Sequence, residues 1–73
     1  MTNIENLFTK IAEKIKDERT HRGWSQEKLA QKAGISLLTI GTIERLKNKP
    51  SVETLAQIAD ALDMKLCELL NFD

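Results

Sequence analysis

The sequence SQEKLAQKAGISLLTIGTIE, residues 25–44, decides the fold of this 73-residue chain. Ser25 and Ser36 are good N-caps, because a serine hydroxyl accepts a hydrogen bond from an early helical N–H. Gly34 lies between them and supplies the positive φ that ends a helix, with Ile35 as the apolar contact that often follows. Apolar residues recur at helical spacing on both sides of Gly34. The stretch therefore predicts two short helices joined by a tight turn, the helix-turn-helix motif.

The residues in and around this motif resemble the Cro/CI, or XRE, family of helix-turn-helix repressors. The resemblance runs in unbroken register from about Arg19 to Leu70. It depends on Arg19, Gly23, Ser25, Gln26, Leu29, Ala30, Gly34, Ile35, Ser36, Ile40, Ile43, Glu44, Pro50, Ser51, Leu55, Ile58, Ala59, Ala61 and Leu62. It implies one all-α domain over residues 1–73, a compact five-helix bundle of the lambda-repressor-like DNA-binding type. It also implies an internal ion pair between Arg19 and Glu44.

Composition excludes several classes of protein. Hydrophobic residues make up 41% and charged residues 30% of the chain, as in soluble globular proteins. No apolar run approaches the ~18 residues of a membrane span, and no signal peptide precedes the first helix. Cys67 is the single cysteine, so no internal disulfide is possible, and a small core or interface position is expected for it. These features predict a cytoplasmic protein without a membrane partner.

Charge is distributed unevenly, although the formal net charge is zero. Residues 19–49 contain seven Lys or Arg and two Glu, whereas residues 50–73 contain one Lys and five acidic residues. The positive excess coincides with the helix-turn-helix and the loop after it. This pattern suits a protein that presents one face to a polyanion, although small proteins also acquire uneven charge by chance.

The segments on either side of the motif are predicted to be helical. Thr2 to Glu5 reads as a capping box that opens a helix ending near Arg22, and its first two turns are extra core or a partner contact. Ser51 caps a later helix, with a core-facing apolar stripe over Val52–Leu62.

The tail, residues 63–73, is predicted to contain a short helix from about 65 to 71. It carries more apolar groups than a terminal helix needs to close a core, and family members commonly pair through this region. We therefore expect a homodimer interface formed by Met64, Leu66, Leu69, Leu70 and Phe72.

The family resemblance assigns DNA contacts by position, with a recognition helix over about residues 36–45. Relatives often carry base-reading polar side chains at the positions of Leu37, Leu38 and Thr42. Leucine has no donor or acceptor for a base edge, but it contacts thymine methyl groups. The predicted base-contacting residues are Leu37, Leu38, Thr39 and Thr42. The predicted phosphate-contacting residues are Gln26, Ser36, Arg45, Lys47, Asn48 and Lys49.

Two residues of the predicted recognition region do not fit the expected pattern. Gly41 is unusual inside a helix, where it costs about 1 kcal/mol relative to Ala. Leu46 stands where the family commonly has the glycine that ends the recognition helix. The sequence therefore does not fix the backbone conformation at Leu46, and inward packing of its side chain is one alternative.

The first functional hypothesis is a sequence-specific regulator of transcription that binds double-stranded DNA. It would act as a homodimer on a palindromic operator, with half-site centres one helical turn, ~10 bp, apart. Small stand-alone proteins of this type resemble phage Cro-like repressors and restriction-modification controller proteins.

The alternative is an antitoxin-like module that binds another protein, which exposed leucines at 37 and 38 would favour. An enzyme is not expected. His21 and Cys67 are each the only residue of their type, so we expect no metal site or Cys–His pair within one chain, and no cofactor is implied.

Overall fold

The computed structural model describes residues 3–71 of the chain. These residues form five α-helices and no β-strand: α1 Ile4–His21, α2 Gln26–Ala33, α3 Leu37–Glu44, α4 Val52–Ala61 and α5 Leu66–Leu69. The predicted all-α, five-helix architecture with a central helix-turn-helix is confirmed.

The first four helices each begin at a side-chain cap. Asn3 Oδ1 accepts hydrogen bonds from the N–H groups of Glu5 and Asn6, at 2.8 and 3.2 Å. The hydroxyls of Ser25, Ser36 and Ser51 each accept an N–H three residues later, at 3.0, 3.0 and 3.1 Å. The predicted capping box at Thr2 lies outside the described residues, and the side chain that caps α1 is Asn3.

Four helices end at a residue in the left-handed conformation, and two of these residues are not glycine. Gly23 and Gly34 have φ values of 73° and 71°, and Leu46 and Asp63 have values of 62° and 57°. After Leu46, the N–H of Lys47 reaches back to the Thr42 carbonyl at 2.8 Å, which satisfies the end of α3. Leu46 thus takes a left-handed conformation of the kind that favours glycine, and the alternative of inward packing is wrong because its side chain is 52% exposed.

The core lies where the inward faces of all five helices meet. Its fully buried side chains are Ile15, Leu29, Ile40, Ile58, Leu62 and Leu69. Helix α2 packs on α3 and α4, and α5 packs on α1 and α4. Two apolar residues near helix starts lie at the margins of the core: Ile4 in the first turn of α1 is 61% exposed, and Val52 of the predicted core-facing stripe is 70% exposed. Apolar spacing identifies the inward face of a helix, but it does not reveal how far along that face a neighbouring helix reaches.

The short helix α5 corrects part of the predicted homodimer interface. Leu69 is fully buried in the core, so it is not available to a partner. Met64 and Leu66 are half-buried against the same core, and Leu70 is 37% exposed. Phe72 lies outside the described residues. The inward side of α5 is used to close the core between α1 and α4, which is why Leu69 turns inward.

Candidate nucleic-acid interface

Helix α3 has one face in the core and the opposite face on the surface. Ile40 and Ile43 are 0% and 2% exposed, and they anchor the inner face. Leu37 and Leu38 are 48% and 71% exposed, although exposed leucines carry a cost in water. Both residues that were expected to touch thymine methyl groups therefore lie on the accessible surface.

The threonine hydroxyls of α3 are held by neighbouring groups. Thr39 Oγ1 lies 2.7 Å from Ser36 Oγ. Thr42 Oγ1 donates to the Thr39 carbonyl at 3.0 Å and accepts from Asn48 Nδ2 at 3.3 Å. A hydroxyl has a single proton to donate, so Thr42 is left with acceptor capacity only. It can receive a hydrogen bond from an amino group on a base edge without breaking a bond in the protein.

A buried ion pair fixes the C-terminal end of α3. Arg19 Nε donates to Glu44 Oε2 at 2.8 Å, and Arg19 Nη2 donates to Glu44 Oε1 at 2.9 Å. Arg19 Nη1 also donates to the Trp24 carbonyl at 2.7 Å. The hydrogen bonds to Glu44 raise the pKa of Arg19, against the opposing effect of burial, so the guanidinium stays charged. This paired geometry ties α1, the turn at Trp24 and α3 together.

Gln26 connects α2 to the same carboxylate. Its Nε2 donates to Glu44 Oε1 at 3.1 Å, so its side chain braces α3 from the start of α2. The backbone N–H of Gln26 is in the first turn of α2, at the end of the helix where the dipole favours anions. The side chain and the backbone of Gln26 thus have separate potential roles.

A basic loop follows α3. Arg45, Lys47, Asn48 and Lys49 are all exposed, as phosphate contact requires. Lys49 Nζ lies 5.7 Å from the centre of the Phe8 ring of α1, close enough for a cation–π interaction. The loop is thereby held against the first helix while its charges face solvent.

The structure gives Gly41 a packing role that the sequence pattern does not reveal. A Cβ atom built at Gly41 would lie 3.0 Å from Arg45 Nη1 and 3.6 Å from both Cζ and Nη2. The guanidinium of Arg45 therefore lies across α3 at the level of Gly41, one turn before its own Cα. The sequence indicates this contact only through the i, i+4 spacing of Gly41 and Arg45, which places them on one face of a helix.

Two further basic side chains lie beside the Trp24 ring and make contacts within the protein. The guanidinium of Arg22 and Nζ of Lys32 lie 5.9 and 5.0 Å from the Trp24 ring centre, and the ring packs against the core. Arg22 also donates to the Leu62 carbonyl at 2.7 Å and to Glu18 Oε1 at 2.8 Å. The hydrogen bond from Arg22 lowers the pKa of Glu18.

Within residues 3–71, no group of three or more His, Cys, Asp or Glu side chains is arranged to hold a metal ion. In the same part of the chain, no helix is both long enough and apolar enough to cross a membrane.

Comparison with known sequences identifies the class of protein to which this surface belongs. The profile of the helix-turn-helix family matches residues 15–69. The transcriptional regulator SutR of Escherichia coli K12 is 39% identical over 61 residues, covering 84% of this chain and 34% of SutR. The antitoxin HipB of E. coli K12 is 34% identical over 75 residues, covering 97% of this chain and 85% of HipB. The chain spans about a third of SutR, and it spans 56% of the SinR regulators that it also matches.

Comparison with solved structures also finds proteins of the same fold. The crystal structure of the restriction-modification controller protein C.AhdI from Aeromonas hydrophila matches with a TM-score of 0.81 at 32% identity. The match covers 85% of this chain and 94% of C.AhdI.

Proposed function

The chain belongs to the XRE-type helix-turn-helix family of DNA-binding transcriptional regulators, and we propose that it binds a palindromic operator in double-stranded DNA as a homodimer. The observation that carries the proposal is the outer face of α3. This face is exposed, its far end is fixed by Glu44, and a basic loop continues from it. A rigid helix of this kind enters the major groove of a duplex.

In this proposal, side chains on the outer face of α3 make the contacts that distinguish one DNA sequence from another. Leu37 and Leu38 contact thymine methyl groups, and the Thr39 and Thr42 hydroxyls contribute the weaker polar contacts. Thr42 accepts from an exocyclic amino group, because its own proton is held by the Thr39 carbonyl. Half-site spacing and the deformability of the DNA between half-sites add to the discrimination.

Affinity comes in large part from phosphate contacts. Lys47 and Lys49 supply charge from the loop after α3, and the Gln26 backbone N–H and the Ser36 region approach the phosphates from helix N-termini. Asn48 lies between the two lysines and reaches Thr42, so the loop and α3 meet the DNA as one surface.

In this proposal, the homodimer forms through the apolar side chains near the C-terminus that the core leaves partly exposed. Leu70 is exposed, and Met64 and Leu66 keep part of their surface accessible beside it. Two copies related by a two-fold axis would then present two α3 helices to successive turns of the major groove, which matches a palindromic site.

Selection of bound fragments from random double-stranded DNA, followed by sequencing, tests the proposal. We expect an enriched palindrome with half-site centres one helical turn, ~10 bp, apart. Sedimentation of the complex should give two protein chains per duplex. Recovery of a non-palindromic site bound by one chain would overturn the homodimer, and no enrichment at low salt would overturn DNA reading altogether.

A second candidate function is an antitoxin-like interaction module whose helix-turn-helix serves mainly to bind another protein. It is favoured by the similarity to HipB across 97% of the chain and by the 71% exposure of Leu38. Stoichiometric co-purification of one protein partner, without retention of DNA at low salt, would favour this function over the first.

A further inference from the structure

We propose that Arg45 reads the edge of a guanine in each half-site and that Gly41 provides the space for its guanidinium. This inference rests on the proposed function, because it assigns a role within the same DNA-binding face. The positive charge of the loop alone would assign Arg45 to phosphate contact. The geometry of α3 points to a base contact instead.

The first step is the position of Arg45 on the helix. Arg45 follows Leu38 by about two helical turns, so the two residues share one line along α3. That line lies opposite Ile40 and Ile43, which are buried in the core. Leu38 is the most exposed large apolar side chain within residues 3–71, and Arg45 is also exposed. Arg45, the C-cap residue of α3, therefore continues the line of the outer face, whereas Lys47 and Lys49 lie farther along the loop.

The second step is the direction of the side chain. Long side chains on a helix point back toward its N-terminus. In Arg45 this brings the guanidinium to the level of Gly41, where Nη1 lies 3.0 Å from the position of an added Cβ. The charged group is thereby about 5 Å, or one turn, closer to the N-terminal half of α3 than the Arg45 Cα. Recognition helices contact base edges mainly through their N-terminal residues, so this shift brings the guanidinium toward the bases.

The third step is the supply of hydrogen-bond donors on the outer face. Leu37 and Leu38 have none, and the Thr42 proton is held by the Thr39 carbonyl. The side chain of Arg45 makes no hydrogen bond or ion pair within residues 3–71, whereas the guanidinium groups of Arg19 and Arg22 each bond to carboxylate and carbonyl oxygens of the protein. A free guanidinium matches the O6 and N7 acceptors of guanine with two parallel hydrogen bonds. Between residues 37 and 45, Arg45 is the side chain with that geometry.

The role of Gly41 follows from the same contact. Any larger residue at position 41 places a Cβ against Nη1 at a separation tighter than ordinary van der Waals contact. The guanidinium would have to shift by a few tenths of an ångström. Glycine at this position therefore leaves room for the guanidinium to lie against α3.

The experiment compares base preferences of the wild type, Arg45→Lys, Gly41→Ala and Lys47→Ala by selection from the same random DNA pool at one salt concentration. Lysine keeps the positive charge that a phosphate contact needs but lacks the fork that guanine needs. We expect Arg45→Lys to lose the preference for guanine at one position per half-site and to keep the other preferences. Lys47→Ala should bind all sites more weakly with its preferences unchanged.

Affinity measurements on the selected operator complete the test. Replacing the assigned G·C pair should weaken wild-type binding on the order of tenfold or more and should leave Arg45→Lys nearly unaffected. Gly41→Ala should lower the guanine preference less than Arg45→Lys does, because the guanidinium needs to shift by only a few tenths of an ångström, and its thermal unfolding should show an intact fold. An enriched palindrome with identical base preferences for the wild type and Arg45→Lys overturns this inference alone. If the wild type enriches no sequence, both the proposed function and this inference are wrong.

Discussion

Arg19 and Glu44 are joined by two hydrogen bonds of 2.8 and 2.9 Å, and their side chains are only 10% and 3% exposed. Removing one partner leaves the other charge buried without its counter-ion, whereas removing both does not. We expect Glu44→Ala to lower the free energy of unfolding by about 3–5 kcal/mol.

The matched control for this pair is the double substitution Arg19→Met with Glu44→Leu, which replaces the ions by apolar groups of similar size. Urea denaturation should give a smaller loss for the double variant than for Glu44→Ala. A loss for the double variant equal to the sum of the losses for Arg19→Met and Glu44→Leu measured singly would mean that the pair is not energetically coupled.

Leu46 is predicted to be a site where glycine stabilises the protein. Its φ of 62° is unfavourable for a residue with a Cβ, and its side chain is largely exposed. Leu46→Gly should raise the free energy of unfolding by about 0.5–1 kcal/mol, after allowance for the more flexible unfolded chain. Leu46→Ala removes the same side chain but keeps the Cβ, so thermal unfolding should show no comparable gain. A gain of the same size for alanine would contradict strain as the cause.

Lys47 is predicted to set affinity and salt dependence without setting sequence preference. Lys47→Ala should weaken binding to all DNA targets by a similar factor and reduce the slope of log K against log salt by about 1. Titrations over a range of salt concentrations on the operator and on unrelated DNA give both quantities. A weakening confined to the operator would show that Lys47 reads bases.

Leu69 and Leu70 are predicted to have different effects although they are adjacent. Leu69 is fully buried, so Leu69→Ala should cost about 2–5 kcal/mol of stability at any protein concentration. Leu70→Glu should keep the helical content and shift sedimentation from dimer to monomer, since a charge in an apolar interface is unfavourable. A dimer that survives Leu70→Glu would place the interface elsewhere.

The helix boundaries follow closely from local chemistry in the sequence. Ser25, Ser36 and Ser51 act as N-caps where the pattern predicted them, and Gly23 and Gly34 end their helices with positive φ. Caps and glycine ends depend on residues that are near in sequence, which is why they can be predicted without tertiary structure.

The features that could not be predicted depend on tertiary contacts or on local conformation. Neither is fixed by the type and spacing of the residues. Leu69 was expected at a dimer interface, because apolar residues in a last helix look the same whether a core or a partner covers them. Leu46 departs from the glycine pattern, and only its φ reveals that the chain takes a left-handed turn there. The position of the Arg45 guanidinium over Gly41 depends on a rotamer, which residue spacing leaves open.

The tryptophan at position 24 has a spectroscopic consequence. It is the chain's one indole, it is flanked by two cations, and its carbonyl accepts a hydrogen bond from the arginine that holds Glu44. Its emission should therefore respond when the junction between α1 and α2 loosens, and no dye needs to be attached. Because the indole packs against the core and is not among the residues proposed to contact DNA, the intrinsic signal can follow the protein without altering those residues.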